Sequence, residues 1–301
     1  MMGKNENRSE KLYPIQMNQR SGYMDETGEI VIELKFSSAG RFSEGVAPVK
    51  IGMEYGYIDE TGRIVIKPKF DYAAHFSEGL ALVGVKGELS PYSNKGRLPK
   101  KYGFINKKGK FAIKPKFDSA DYLGGFQEGL AAVAIREKSM NSYGYIDKWG
   151  FINKRGKYII KRKFFHAYAF SEGLAHACIR VGEYGYIDKK GEFVISPIFQ
   201  YAGPFSEGLA PVKIDEKWGY IDKTARIIIE PKFDFAFEFS EGLASVLIGR
   251  KRGYIDRNGE IVIPPHFEIA GPFFCGLASV HIGGKHGYIE KTGKYIWKPS
   301  R

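Results

Sequence analysis

The residues most able to do chemistry in this chain are basic, and they are crowded. Lys107, Lys108, Lys110, Lys114 and Lys116 fall in one stretch, and Lys154, Arg155, Lys157, Lys161, Arg162 and Lys163 in another. From Lys95 to Lys163 there are 18 Lys or Arg and 5 Asp or Glu, against 28 and 29 in the rest of the chain. The formal net charge of +12 therefore arises wholly within this segment. Such a density of ammonium and guanidinium groups suits a partner rich in phosphates or carboxylates. The candidate anion-binding residues are Lys107, Lys108, Lys110, Lys116, Lys154, Arg155, Lys157 and Lys163. The competing use of the same side chains is a solvated basic face that keeps the protein soluble.

The other reactive types do not assemble. His75, His166, His176, His266, His281 and His286 share no common place in the pattern set out below. His176 and Cys178 stand two apart on a strand, but two ligands fall short of a zinc site. No P-loop, dinucleotide fingerprint, Gly-x-Ser-x-Gly or His-Glu-x-x-His run occurs. The expectation is a protein with no catalytic residue, no cofactor and no metal. Its 2 cysteines, Cys178 and Cys275, build no disulfide framework, which fits a reducing compartment. Residues Met1 to Lys11 are polar and lack an apolar leader, and no apolar run is long enough to span a membrane. Cytoplasm is the expected location.

Positioning these groups falls to a repeat of about 34 residues, a period that calls for stacked supersecondary units. A glycine precedes each Tyr/Phe-Ile/Met pair, at Gly22, Gly56, Gly103, Gly150, Gly185, Gly219, Gly253 and Gly287. After each come a turn glycine, an apolar triplet such as Ile64-Val65-Ile66, a Pro-Lys-Phe-like step, an alanine, a phenylalanine and Ser-Glu-Gly-Leu-Ala. The pattern resembles the WG (or KWG) repeat family of bacterial proteins, a family of β-rich repeat units, and covers residues 9 to 299. The tryptophan of that name stands at Trp149 and Trp218; Ser21, Tyr55, Tyr102, Tyr184, Arg252 and His286 replace it elsewhere. The resemblance carries no general activity and brings no catalytic residue with it.

Within one copy, Ala210, Val212 and Ile214 alternate with Leu209, Pro211 and Lys213, a strand with one apolar face. Trp218 to Asp222 and Ile227 to Glu230 read as second and third strands, the last ended by Pro231, which cannot donate into a ladder. Asp25/Gly28, Asp59/Gly62, Asp188/Gly191 and Asp256/Gly259 read as turns, aspartate accepting local N–H bonds and glycine taking the left-handed position. A row of aspartates could also suggest metal, but an ordinary hairpin accounts for them. The linker Phe233 to Phe239 reads as a helical turn or bend whose Phe233, Ala236 and Phe239 plug inward. The Glu of Ser-Glu-Gly (Glu44, Glu78, Glu128, Glu172, Glu207, Glu241) recurs too often for catalysis and is expected to accept a backbone or tyrosine hydrogen bond.

Ser9 to Met17 matches Ser206 to Ile214, which restores a disguised first copy. The expected organisation is a disordered tail, 1–8, and a single repeat domain, 9–299. Its eight meanders run 9–34, 43–68, 77–115, 127–162, 171–197, 206–231, 240–265 and 274–299. The expected fold is all-β: eight stacked three-stranded antiparallel meanders in an open, curved, β-solenoid-like array. A closed propeller-like ring is the alternative. Inserts around Lys86 to Lys101 and Arg136 to Tyr145 lengthen the same hairpin in adjacent copies, and the linker Phe117 to Phe126 is longer than the others. In those copies Asn106 and Asn153 also replace the acidic turn residue. Insertions in repeat arrays map to loops, and such loops carry binding. The functional expectation is a non-enzymatic scaffold with a protein partner; the alternative is nucleic acid or another polyanion bound by the basic third and fourth meanders.

Overall fold

A computed structural model describes residues 11–85, 87–89, 97–98, 100–121, 125–138 and 145–298. The expected tail 1–8, Ser9 and Glu10, most of the Lys86–Lys101 insert, residues 139–144, linker residues 122–124 and the end from Pro299 lie outside these. Among the described residues every named element is a β-strand.

The sixth repeat shows how one copy folds. Ala210–Ile214, Lys217–Ile221 and Ile227–Phe233 form an antiparallel meander, as the alternation and the turn residues require. A further strand, Tyr201–Ala202, pairs with Ala210–Ile214 and makes the sheet four-stranded. That strand comes from the linker. In the seventh repeat the same linker is the six-residue strand Phe235–Ser240. The helical turn expected over Phe233–Phe239 is therefore corrected. Its residues do plug inward, since Phe233, Ala236 and Phe239 are all buried. A register shift between Ala236 and Phe239 places residues three apart on one face, so a bulged strand imitates the spacing of a helix.

The proline step is corrected as well. Pro231 lies inside the strand Ile227–Phe233, not beyond its end. Successive pairs there are Tyr220 with Ile229 and then Trp218 with Phe233, so the outer strand bulges around the proline. An edge strand tolerates a residue without an N–H at a bulge. The first strand of the copy also departs from simple alternation: Ala210, Pro211 and Val212 are all buried, because a neighbouring repeat covers the second face.

Among the described residues eight sheets repeat this plan, the first with three strands and the others with four. The fourth is ordered Ser119–Ala120, Leu130–Lys138, Tyr145–Asn153 and Tyr158–Phe164. The insert of the third repeat carries a short ladder between Glu88–Leu89 and Arg97–Leu98. In the fourth, the hairpin strands Leu130–Lys138 and Tyr145–Asn153 are nine residues each, against five or six for the same strands elsewhere. The chain forms two compact units, residues 1–147 with 152–158, and residues 148–151 with 159–301.

The β-solenoid-like stack is not what forms. In a solenoid, strands of successive repeats pair edge to edge. Here each repeat's hydrogen-bond ladder closes within its own sheet. Neighbouring sheets in each unit meet through side chains, for example Phe70 against Phe111 and Phe164 against Phe193. Small antiparallel sheets used in this way are propeller blades.

The Asp-x-x-Gly turn is as read from the sequence. Asp59 Oδ1 accepts the N–H groups of Thr61 and Arg63, and Gly62 has φ +79°. Ala225 occupies the glycine position with φ +65°, which costs an L-residue about 1–2 kcal/mol. Ala225→Gly is expected to stabilise the second unit by roughly 0.5–1 kcal/mol, after the larger unfolded-state entropy of glycine is subtracted. An upward shift of the denaturation midpoint checks this; no shift would mean the turn carries no strain.

Candidate functional site

The Ser-Glu-Gly step is a tight turn with a positive φ at both central residues, 54° at Glu44 and 85° at Gly45. Such a turn matches the twist of a hairpin but strains a non-glycine residue. The glutamate recovers that cost by reaching the next sheet. Glu44 accepts the Gly79 N–H at 3.1 Å, and Glu78 the Gly129 N–H at 3.0 Å. Glu172, Glu207 and Glu241 do the same with Gly208, Gly242 and Gly276. The serines complete the tie: Ser43 Oγ donates to Phe76 O at 2.7 Å, and Ser206 Oγ to Phe239 O at 2.6 Å.

A basic residue closes each of these latches. Glu44 pairs with Lys107 at 3.3 Å, Glu78 with Lys154 at 3.0 Å and Glu172 with Lys223 at 3.1 Å. Arg257 and Lys291 fill the same place beside Glu207 and Glu241. Two of the eight candidate anion-binding residues, Lys107 and Lys154, thus hold neighbouring sheets together. Lys116 lies over the Phe117 ring and donates to Gly156 O at 3.4 Å, as Lys69 and Lys232 do at equivalent places. Lys163 lies over Phe164 and pairs with Glu192 at 3.5 Å.

The other four candidates are placed differently. Lys108 and Lys110 stand exposed on the turn after Asn106, and Arg155 and Lys157 on the turn after Asn153. Asn106 Oδ1 accepts the N–H groups of Lys108 and Lys110, and Asn153 Oδ1 those of Arg155 and Lys157. The amide oxygen keeps the aspartate's geometry while removing its charge. Among the described residues, no anionic side chain pairs with these four.

Two of the latch carboxylates, Glu78 and Glu172, titrate below their usual range. Partial burial pushes Glu78 up, but the Lys154 hydrogen bond, the Gly129 N–H and the Lys154 charge outweigh it. Glu172 is held down in the same way by Lys223 and Gly208. A lowered folded-state pKa gives stability that is whole above the ordinary value of 4.5 and is lost as pH falls through the folded value. The denaturation temperature is therefore expected to fall on acidification below about pH 4.5, and less steeply in Glu172→Gln. Equal slopes would show that the latch makes no net contribution.

Another departure was legible in the sequence but not read there. In five copies a buried tyrosine of the second strand donates to the next linker, for example Tyr57 to Ala74 O at 2.7 Å and Tyr220 to Phe237 O at 2.8 Å. Phe104 and Phe151 replace it in the third and fourth copies. Aligning the residue after each Gly22-type glycine would have found it.

Latched sheets of this kind, four-stranded in all but the first repeat, place the chain among the β-propellers. The chain belongs to the WG repeat family: the WG containing repeat matches residues 22–52, 55–88, 102–138, 149–180, 184–218, 218–251 and 253–285. Comparison with curated proteins found no match. Among solved structures, apo AztD from Citrobacter koseri is similar at 12% identity and a TM-score of 0.56, over 94% of this chain and 92% of that one. BamB from Moraxella catarrhalis is similar at 10% identity and a TM-score of 0.52, over 94% and 97%. At such identities the likeness shows the fold alone. Among the described residues, no helix is long and apolar enough to cross a membrane.

Proposed function

We propose that this protein is a non-enzymatic interaction scaffold, and that its third and fourth repeats bind an acidic protein surface. The observation that carries this is the division of labour among the basic residues. Lys107, Lys154, Lys116 and Lys163 are engaged within the chain, as residues at these positions are in other repeats. Lys108, Lys110, Arg155 and Lys157 are surplus to the fold, exposed, and set on turns from which the local carboxylate has been removed. Both copies also carry the lengthened hairpin, a further site of contact.

The test is Lys108→Glu, Lys110→Glu, Arg155→Glu and Lys157→Glu in one protein. The turns should survive, since the asparagine bonds use backbone N–H groups. Affinity for poly-glutamate, measured by titration at low salt, is expected to fall at least about tenfold. Unchanged affinity would remove this reading. A second reading, nucleic acid, rests on the same four side chains. Duplex DNA bound more tightly than poly-glutamate, with log K falling by about 0.9 per neutralised phosphate against log salt, would favour it.

A further inference from the structure

We propose that the eighth repeat binds a divalent transition-metal ion between His281 and His286. These residues face each other directly across the hairpin Leu277–Ile282 and Lys285–Glu290. Their ring centroids are 5.1 Å apart. Two imidazoles whose near nitrogens each lie about 2.1 Å from one ion put their centroids about 5 Å apart at a near-tetrahedral angle. The facing pair is Lys50 with Tyr55, Lys213 with Trp218 and Leu247 with Arg252 in other repeats. Among these pairs only the eighth presents two nitrogen ligands, with His286 in the place of the family's tryptophan.

The two nitrogens of His286 are not equivalent. Nε2 lies 2.9 Å from Ser279 Oγ. Nδ1 is buried and has no hydrogen-bond partner among the described residues. A metal-bound imidazole characteristically donates its second N–H to a nearby acceptor, which sets the tautomer and aims the free lone pair at the ion. With Nε2–H donating to Ser279, that lone pair sits on Nδ1. A buried ring nitrogen without a partner calls for an occupant, and an ion held jointly with His281 supplies one. The rings of Tyr288 and Trp297 also lie close to that of His286, at 5.1 and 5.7 Å.

Among the described residues no group of three His, Cys, Asp or Glu completes a cage. The site therefore offers two imidazoles, with water in the remaining positions. Imidazole ligation suits copper, nickel and zinc, and copper binds such a set most tightly.

The experiment is a Cu2+ titration of the whole chain, followed by calorimetry and by electron spin-echo modulation, which counts coupled imidazoles. The wild type is expected to take up one equivalent coupled to two imidazoles. His281→Gln and His286→Gln should each leave one coupled imidazole and weaken binding at least about tenfold. His281 is only partly buried, and glutamine at 286 can still bond Ser279; circular dichroism confirms that each variant folds. Wild-type Cu2+ coupled to fewer than two imidazoles, affinity untouched by either substitution, or no uptake at all would each overturn the proposal. The last result would leave the Nδ1 position to water.

Discussion

Gly219→Ala is expected to destabilise the second unit by about 3 kcal/mol or more, at the upper end of overpacking costs. A Cβ at this position would lie 2.5 Å from Ile229 O, 2.8 Å from Pro231 N and 3.0 Å from Glu230 C. All three are backbone atoms of the bulged outer strand, and the proline ring stiffens that strand where it approaches closest. No rotamer change can make room. The same approach recurs at Gly56, Gly103, Gly150, Gly185 and Gly253, which explains why the glycine is the steadiest mark of the repeat. Gly242→Ala is the control. There φ is +84° and no atom of the described residues lies within 4 Å, so only the left-handed backbone penalises alanine, by about 1–2 kcal/mol. Denaturant midpoints measured on both variants should separate clearly. Equal losses would mean that the close approach is not what demands glycine at 219.

Phe239→Ala is expected to cost about 3–5 kcal/mol. The side chain is 0% exposed and packs with Trp218, Tyr220, Ile229 and Val246. Its ring lies 4.9 Å from that of Tyr220, whose hydroxyl is committed to Phe237 O and so holds the ring in place. Neither the sheet nor the neighbouring latch can collapse into the space, because Ser206 is bonded to the carbonyl of Phe239 itself. Hydrogen exchange should show the loss concentrated in the sixth and seventh sheets. A loss under about 1 kcal/mol would show that the linker phenylalanine is a surface filler and not part of the core.

Much of this was legible from residues. The turns were, because Asp59 and Gly62 satisfy a local hydrogen-bond pattern that needs no distant partner. The inward aromatics and the common site of both inserts were as well. The linker strand was not, because a bulge between Ala236 and Phe239 gives strand residues the spacing of a helix. Pro231 misled for a related reason: the rule against proline in a ladder holds for regular pairing, and the outer strand bulges at that point. The candidate site was half legible. Composition marked a basic cluster, but Lys107 and Lys108 are adjacent, equally charged, and used differently.

By itself the sequence determined what is local and periodic: the repeat, its turns, the alternation of its strands, and the places where length and charge depart from the rule. These follow from short-range sterics and hydrogen bonding, which each copy writes out again. Only the tertiary structure decided that the copies are four-stranded blades and not solenoid coils. It alone showed that Glu44 and its equivalents latch one sheet to the next, that half of the candidate cations are spent in the fold, and that His281 faces His286. Each of these depends on which residues of separate segments meet, and a ladder or a latch is a relation between strands that no single strand encodes.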